Sequence, residues 1–308
     1  MPSVPDKLRL GTRASALARW QAEWVAAQLA ERGLSVELVP ITTQGDVKTG
    51  PLGQIGGQGL FTKELQRALI EETIDLAVHS CKDLPTEPVD GLVIAVFPER
   101  DSTADVLISN KADRIESLPT GARIGTGSLR RKAQLLHLRP DLLVEDIRGN
   151  VETRLRKLDE GHYDAIVLAE AGLTRLGLAD RITCIIPGAT MLPAVGQGAL
   201  AIEARADDRR TQSLLVPLDH FETHQGVLAE RALLFELRAG CLAPVGAWGR
   251  VEGGRLVLDA VVLSPDGKHR LVASGSAEVS NAIPLGRQVA AELLAQGAAD
   301  LITAAHAS

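Results

Sequence analysis

Aromatic residues make up only 3% of this 308-residue chain. Few rings are therefore available to stack on bases, and a net charge of −6 is unfavourable for binding a polyanion. The chain has no apolar run of membrane-spanning length, and its first ten residues contain none of signal-peptide length. We therefore expect a protein that binds neither nucleic acid nor a membrane.

Cysteine is scarce as well, with Cys81, Cys184 and Cys241 far apart in the chain. Such spacing provides neither a disulfide framework nor paired metal ligands. It predicts a reducing compartment, the cytoplasm, and no bound metal. The remaining composition, 45% apolar and 23% charged, is that of a globular protein with enough core for two or three domains.

Short apolar strands alternate with amphipathic helices over the first two thirds of the chain, which predicts two parallel α/β sheets. A glycine-rich loop covers residues 43–59, and the segment 192–198 is predicted to cross between the two α/β runs. Residues 199–204 are predicted to form a strand that returns to the first sheet. The other predicted strands are 8–12, 36–42, 74–79, 105–109, 122–126, 142–147 and 164–168, with helices at 16–32, 61–71, 128–138, 151–160 and 170–176.

The pattern changes near residue 217, where an α+β arrangement begins. It comprises a helix at 220–237, strands at 245–251, 255–263 and 269–276 with a hairpin turn at Asp266-Gly267, and a helix at 284–295. The predicted domains are residues 1–98 with 199–216, residues 99–198, and residues 217–308.

Cys241 follows the long helix of the third domain on a tight turn. Gly240 is suited to close that helix in the left-handed conformation, and Pro244 prevents the helix from resuming. Arg231 and Arg238 are close enough in sequence to favour the thiolate. The turn therefore indicates a reactive thiol; the alternative is a small apolar side chain filling a gap.

A second unusual feature is the helix start at Ser128, a good N-cap that is followed by Arg130, Arg131 and Lys132. Cations in a first turn oppose the helix dipole and cost stability. Helix N-termini bind anions, and arginine pairs well with carboxylates. We interpret this start as a binding site for a ligand with carboxylates; a solvated charged face is the alternative.

The same arrangement recurs where Arg148 and Arg154 bracket a helix capped by Asn150, and where Arg13 lies beside Ser15 at the first strand–helix junction. Several such sites imply a ligand with several carboxylates. The glycine pattern fits neither a dinucleotide fingerprint nor a P-loop, so we do not expect a nucleotide.

Asp83 follows another strand, next to Lys82. An ionised carboxylate in a ligand crevice could stabilise a cation formed during a reaction. The alternative is a turn aspartate ahead of Pro85. His79 is predicted to be a core histidine with a hydrogen-bond partner rather than a catalyst.

These residues belong to a series of motifs that resembles the porphobilinogen deaminases, also called hydroxymethylbilane synthases, over nearly the whole chain. In order, the motifs are Thr12-Arg13-x-Ser15, Gly59-Leu60-Phe61-x-Lys63-Glu64-Leu65, His79-Ser80-x-Lys82-Asp83-Leu84-Pro85, Gly125-Thr126-x-Ser128-Leu129-Arg130-Arg131, Arg148-Gly149-Asn150-Val151-x-Thr153-Arg154-Leu155, Pro193-Ala194-Val195-Gly196-Gln197-Gly198-Ala199, Glu230-Arg231-Ala232 and Gly240-Cys241-x-x-Pro244.

The resemblance implies three domains: two α/β domains of the type II periplasmic-binding-protein kind around the active site, and an α+β domain that carries the cysteine. It implies a transferase that joins four porphobilinogens head to tail, releases ammonia, and produces a linear tetrapyrrole for haem and related pigments. The product grows on a dipyrromethane cofactor attached through a thioether to Cys241.

The resemblance also assigns residues. Asp83 is the catalytic carboxylate, which stabilises positive charge and handles protons. The residues that hold the cofactor are Cys241, Lys82, Asp83, Thr126, Ser128, Arg130, Arg131 and Arg154. The residues that bind the substrate are Arg13, Ser15, Arg148, Arg154, Arg175 and Gln197.

The chain departs from the family pattern at Gln54 and Gln58, where relatives often carry lysines, at Ala239, which replaces a glycine, and at Gly127, which replaces a serine. Gln54 and Gln58 leave the glycine-rich loop with less charge for substrate binding, whereas Ala239 and Gly127 remove no reacting group. Cys81 and Cys184 are expected to be structural. The loop 43–59 is the candidate lid, because a growing product requires movement.

Two other classes of protein remain open from the residues alone. A solute-binding or effector-sensing protein would account for the arginines but not for Cys241 or the third domain. A cysteine hydrolase would need a histidine near the thiol, and His220 and His224 lie four to five turns up the same helix. The expected assembly is a monomer.

Overall fold

The computed structural model describes residues 7–42, 62–240 and 243–306. The chain divides into two compact units, Met1–Arg100 with Ala199–His224 and Asp101–Gly198 with Gln225–Ser308. Asp83 and Arg13 lie in the first unit, and the helix starts capped by Ser128 and Asn150 lie in the second. The loop 43–59, predicted to be a lid, lies outside the described residues.

The first unit is built on a five-stranded mixed sheet. Its strands are β1 (Leu8–Thr12), β2 (Val36–Pro40), β3 (Leu76–Ser80), β4 (Leu92–Val96) and β10 (Leu200–Arg205), and the helices are α1 (Ala16–Ala30), α2 (Lys63–Ile70) and α6 (Arg209–Leu215). Strand β1 lies between β2 and β3 and is parallel to both, whereas β10 lies between β3 and β4 and is antiparallel to both.

The core of this unit fixes the edge at which β1 and β3 both end. Leu10 of β1, Leu76 of β3 and Ile202 of β10 are fully buried against Val25 and Leu29 of α1. Burying a side chain of this size contributes about 1.5–3 kcal/mol. Because β1 and β3 are parallel, the residues that follow them meet at one edge of the sheet.

The second unit contains a similar mixed sheet. Its strands are β5 (Asp105–Ser109), β6 (Arg123–Gly125), β7 (Leu143–Glu145), β8 (Ala165–Ala169) and β9 (Cys184–Ile186), and the helices are α3 (Leu129–Leu138), α4 (Val151–Asp159) and α5 (Glu170–Arg175). Strand β6 lies between β7 and β8 and is parallel to both, and β5 lies between β8 and β9 and is antiparallel to both.

The rest of the second unit is an antiparallel meander covered by helices. Its core includes Leu233, Leu256, Leu258, Val289 and Leu293, each fully buried. The elements are β11 (Val245–Glu252), β12 (Arg255–Leu263) and β13 (Arg270–Glu278), with α8 (Ala282–Ala295) and α9 (Ala298–His306); α7 (Phe221–Glu236) contains the boundary between the units.

The predicted class, two α/β sheets with a C-terminal α+β arrangement, is confirmed. Predicted strands 105–109 and 255–263 coincide with β5 and β12, and the return of residues 199–204 to the first sheet is confirmed by β10. The prediction of parallel sheets is wrong, because β5 and β10 run against their neighbours. The sequence does not predict β4, β9, α6 or α9; β9 is only three residues long.

The two predicted turns of the α+β part also have the expected backbone. Gly267 has a φ of 74° and donates its N–H to the Ser264 carbonyl at 2.9 Å, which closes the β12–β13 hairpin. After α7, Gly240 has a φ of 63° as predicted, but Arg238 is already left-handed with a φ of 50°. The helix therefore ends in a left-handed residue before Gly240 is reached.

Within the described ranges, no helix has both the length and the apolar character needed to cross a bilayer.

Gly226 lies in α7 where the helix touches β11. A Cβ atom at this position would lie 2.6 Å from the Gly249 carbonyl oxygen. In an open helix, replacing glycine with alanine stabilises by up to about 1 kcal/mol. Here we expect Gly226→Ala to destabilise by about 1–3 kcal/mol, because backbone must move to admit the methyl group. Urea unfolding monitored by circular dichroism would measure the change; an unchanged or raised midpoint would contradict this packing.

Candidate active site

Three of the predicted site residues meet in the first unit. Arg13 and Ser15 follow β1, Asp83 follows β3, and the two strands end at the same edge of the sheet. The pocket at that edge is lined by Arg13, Ser15, Leu17, Ala18, Gln21, Thr62, Val78, His79, Ser80 and Asp83. A carboxylate, a guanidinium group and several hydroxyl groups are thus available to one ligand.

Asp83 ends a single 3₁₀ turn, Cys81–Asp83, that directly continues β3. The Cys81 side chain is 1% exposed, and its N–H donates to the Ala199 carbonyl at 3.0 Å. Leu84, also buried, donates its N–H to the Cys81 carbonyl. The Asp83 side chain is exposed between these anchored neighbours, and Lys82 is half-buried. The turn therefore presents a carboxylate from a fixed backbone, and the expected structural role of Cys81 is confirmed.

Gln21 is a pocket residue that the sequence does not single out. It lies on α1 with 3% exposure, and its Nε2 donates to the Ser80 hydroxyl at 2.8 Å. Ser15 caps the same helix, with its hydroxyl accepting from the Ala18 N–H at 3.4 Å. The sequence signal for Gln21 is its place on the apolar face of an amphipathic helix, because a buried polar side chain needs a hydrogen-bond partner.

His79 is buried and bonded, as predicted for a core histidine. Its Nε2 lies 3.1 Å from a Glu203 carboxylate oxygen, and Gln66 Nε2 donates to the other oxygen at 3.0 Å. His79 and Glu203 are no more than 5% exposed. This polar group contributes His79 to the lining of the pocket and ties β3, β10 and α2 together.

In the second unit, the loop after β6 presents hydroxyl groups at the start of α3. Ser128 is the predicted N-cap: its hydroxyl accepts from the Arg131 N–H at 3.4 Å. The Thr126 hydroxyl accepts from the Ser128 N–H at 3.2 Å and is buried. The predicted cap is confirmed.

The guanidinium groups of Arg130 and Arg131 turn inward to a carboxylate that the sequence does not identify. Arg130 Nη1 donates to Asp105 Oδ2 at 2.7 Å, and Arg131 donates to Oδ1 from Nε at 2.9 Å and from Nη2 at 2.7 Å. All three side chains are at most 7% exposed. Asp105, a carboxylate of the protein itself, thus binds both guanidinium groups. The unfavourable placement of cations in the first turn of this helix therefore does not by itself require a ligand.

Burial opposes ionisation of Asp105, but the two adjacent guanidinium groups outweigh it and hold the pKa of this carboxyl well below its usual range. Burial likewise lowers the pKa of Arg130, against the opposing effect of Asp105. The group therefore contains two cations and one anion.

Arg175 and Gln197 are buried and bonded to backbone. Arg175 Nη2 donates to the Gly198 carbonyl at 2.6 Å, and its Nε lies 3.3 Å from an Asp101 carboxylate oxygen. Burial lowers the pKa of Arg175, and Asp101 opposes the shift. Gln197 Nε2 donates to the Thr103 carbonyl at 2.7 Å and to Asp105 Oδ1 at 2.9 Å. Both side chains hold the segment 192–198 in place.

Arg148 and Arg154 flank the start of α4. Arg148 Nε donates to Asp146 at 2.7 Å, with 36% of its side chain exposed. Arg154 is half-buried and donates from Nε to the Gly149 carbonyl at 2.8 Å. Asn150 caps the helix as predicted, accepting from the Thr153 N–H at 2.9 Å.

Cys241 lies outside the described residues, but its flanks are anchored. Leu237, Ala239 and Ala243 are all at most 5% exposed and belong to the core of the meander. Cys184 is half-buried at the start of β9 and free.

The histidines that a cysteine hydrolase would require already have partners. His220 Nδ1 lies 2.9 Å from the Thr223 hydroxyl, and His224 Nδ1 lies 2.8 Å from an Asp219 carboxylate oxygen.

Comparison with known families matches most of the chain. Residues 8–213 match the porphobilinogen deaminase dipyromethane cofactor binding domain, and residues 224–295 match the porphobilinogen deaminase C-terminal domain.

Curated relatives agree over the full length. Two proteins named porphobilinogen deaminase, from two strains of Acidithiobacillus ferrooxidans, are each 52% identical over 302 residues, covering 97% of this chain and 98% of the relative.

Solved structures with a similar arrangement include the methionine-binding protein MetQ, with a TM-score of 0.45 at 15% identity, covering 75% of this chain and 96% of that one. A nutrient-binding protein from Burkholderia cenocepacia bound to methionine has a TM-score of 0.43 at 15% identity and covers 74% of this chain and 95% of that one.

Two mixed α/β sheets, with cations, hydroxyl groups and an exposed carboxylate at their edges, and a C-terminal α+β arrangement define the class of the protein. The chain belongs to the porphobilinogen deaminase family. The family comprises transferases that synthesise hydroxymethylbilane for tetrapyrroles on a dipyrromethane cofactor.

The residues present fit that cofactor. Among the described residues, the buried Arg130 Nε has no hydrogen-bond acceptor, and the group around Asp105 has one more cation than anion. The hydroxyl groups of Thr126 and Ser128 lie on the adjacent loop. Spare positive charge and hydroxyl donors suit a dipyrromethane, whose acetate and propionate groups are anionic.

The low pKa of Asp105 predicts a pH dependence. Because the carboxyl is more acidic in the folded protein, its ionisation stabilises the fold above the unfolded pKa of about 3.9. That stabilisation is lost as the pH falls further, by about 1.4 kcal/mol per pH unit. We expect Asp105→Asn to be less stable than the parent at neutral pH, with a difference that narrows below about pH 4. Urea unfolding across this range would measure it; a difference that stays constant in acid would contradict the ion pair.

Proposed function

We propose that this chain binds porphobilinogen and joins four molecules head to tail, with release of ammonia, to form hydroxymethylbilane. The proposal rests on one observation at the level of residues: Asp83, Arg13 and Ser15 line the same pocket. Porphobilinogen carries an aminomethyl group at one α carbon of its pyrrole ring and an acetate and a propionate at the two β carbons. A pocket lined by a carboxylate, a guanidinium group and hydroxyl groups offers partners to all of these groups.

Asp83 is proposed as the catalytic residue. When the amino group departs as ammonia, the pyrrole nitrogen acquires positive charge and becomes a stronger hydrogen-bond donor. A fixed, ionised carboxylate accepts that hydrogen bond and stabilises the charge as it develops. The same carboxylate can take up the proton released when two pyrroles are joined. Its position on a rigid turn supports the role, because little reorganisation is needed.

The substrate carboxylates are assigned to cations and hydroxyl groups at the sheet edges. Arg13 and Ser15 act at the pocket of the first unit, and Arg148 and Arg154 act at the start of α4. Arg175 and Gln197 remain proposed for substrate binding; because they are buried on backbone carbonyls, we propose that they act mainly by shaping the segment 192–198.

We propose that the cofactor is joined to Cys241 through a thioether. The residues proposed to hold its carboxylates and pyrrole N–H groups are Lys82, Asp83, Thr126, Ser128, Arg130, Arg131 and Arg154. When bound, the dipyrromethane supplies the pyrrole end onto which the product grows. The residues on either side of Cys241 support this attachment, because Ala239 and Ala243 are buried in the core of the meander.

The finer organisation is also a proposal. We propose three domains, residues 1–98 with 199–216, residues 99–198, and residues 217–308; the three separate sheets support this division. We further propose a cytoplasmic monomer that needs no metal. The free thiol of Cys184 supports a reducing compartment.

The attachment site is tested by the intact mass of the protein purified from cells that make porphobilinogen. We expect an excess equal to two linked pyrrole units in the parent and none in Cys241→Ser, because only the thiol can form the thioether. Cys184→Ser, which alters a free cysteine of the second unit, is the control and should keep the excess. A parent that is unmodified and cannot be loaded with porphobilinogen would refute the proposal.

The role of Asp83 is tested by Asp83→Asn. We expect this variant to keep the added mass but to lose turnover by about 100-fold or more, because the amide cannot balance the developing positive charge. Asp90→Asn is the matched control: Asp90 is also exposed in the same unit but does not line the pocket. Steady-state rates measure the effect, and a normal rate for Asp83→Asn would exclude the assigned role.

A further inference from the structure

Asp105 of the second unit accepts four hydrogen bonds, and the proposed reaction has no use for it. Its Oδ1 accepts from Arg131 Nε, Arg131 Nη2 and Gln197 Nε2, and its Oδ2 accepts from Arg130 Nη1. All four distances lie between 2.7 and 2.9 Å, and the side chain is 0% exposed. A single carboxylate therefore links strand β5, helix α3 and the segment 192–198.

The direction of β5 places Asp105 at the edge of the sheet where helix α3 begins. It is the first residue of β5 and pairs with Ala169, the last residue of β8. Because β5 is antiparallel to β8, its start lies at the edge where β6 and β8 end and where α3 begins. The carboxylate thus meets the two arginines of the first turn of α3.

The two arginines depend on Asp105 to different degrees. Arg131 uses Nε and Nη2 on Asp105 and Nη1 on the Val167 carbonyl at 3.1 Å, so each of its nitrogens has an acceptor. Arg130 uses only Nη1, which also donates to the Leu192 carbonyl at 2.6 Å. Among the described residues its Nε has no acceptor.

We infer that Asp105 is a positioning residue, which orients Arg130 and Arg131 so that the uncompensated positive charge of the group faces the carboxylates of the dipyrromethane. The inference rests on the proposed function. A single carboxylate carries one negative charge and does not neutralise two guanidinium groups. Placed between the two cations, it fixes their geometry and leaves one positive charge for an anionic ligand. Without Asp105, both guanidinium groups would lose the acceptor that fixes their direction.

The first unit offers a matched control of the same chemistry. Asp75 also lies between two arginines, accepting from Arg9 Nη2 at 2.7 Å and lying 3.5 Å from Arg205 Nη2. Its side chain is 15% exposed, and it does not line the pocket of the first unit. Asp75→Asn should therefore weaken the fold through a comparable ion pair without disturbing the cofactor.

The experiment compares the parent with Asp105→Asn, Asp105→Glu and Asp75→Asn, each purified from cells that make porphobilinogen. Intact mass gives the fraction that carries the two-pyrrole excess, thermal unfolding gives stability, and steady-state kinetics give kcat and KM. We expect both Asp→Asn variants to fold with lowered unfolding temperatures. Only Asp105→Asn should lose cofactor, by roughly tenfold in the loaded fraction.

Asp105→Glu retains the charge and should restore part of the loading. In the loaded fraction of either Asp105 variant, KM for porphobilinogen should rise by roughly tenfold while kcat changes less, as expected when binding is weakened but the catalytic carboxylate is intact.

The inference is overturned if Asp105→Asn is loaded as fully as the parent, or if Asp75→Asn loses cofactor to the same extent. It is also overturned if neither Asp105 variant folds while Asp75→Asn does, since Asp105 would then serve the fold alone. A parent that carries no added mass and cannot be loaded would refute the proposed function and this inference with it, whereas a loaded parent with a loaded Asp105→Asn would refute this inference only.

Discussion

The buried backbone of the segment 192–198 requires hydrogen-bond partners, and much of the second unit is arranged to supply them. The Leu192 carbonyl accepts from Arg130 and Gln134, the Gly196 N–H donates to the fully buried Glu230, and the Gly198 carbonyl accepts from Arg175. An unpaired buried peptide group costs about 1–3 kcal/mol. Charged side chains are therefore committed to this segment, and the fold and the site share the same arginines.

Sharing residues in this way has an energetic consequence. A buried ion group with two cations and one anion stabilises the fold less than a group with equal numbers of each. No anion within the protein offsets the desolvation cost of the second cation. A ligand carboxylate would complete the balance, so the cofactor would stabilise the unit as well as take part in the reaction. The first unit differs, because Asp83 is exposed and free of this burial cost.

Antiparallel strands explain why buried acids lie close to both candidate sites. β5 begins at the edge where β6 and β8, which are parallel to each other, end, and this brings Asp105 to the start of α3. β10 pairs with β3 in the same sense, which places Glu203 against Ala77 and within reach of His79. In the parallel sheets expected from the sequence, the first residue of β5 would lie at the opposite edge. The wrong strand direction is therefore also why Asp105 is not found from the sequence.

The sequence by itself determined the local features and the family. The caps at Ser128 and Asn150 and the turn at Gly267 form between residues a few positions apart, so their chemistry is visible in a short window. Tertiary structure decided the strand directions and the pairing of Asp105 with arginines 25 and 26 residues away. Such contacts depend on how strands are ordered in a sheet, and residue pattern does not encode that order, because a buried strand looks the same in either direction.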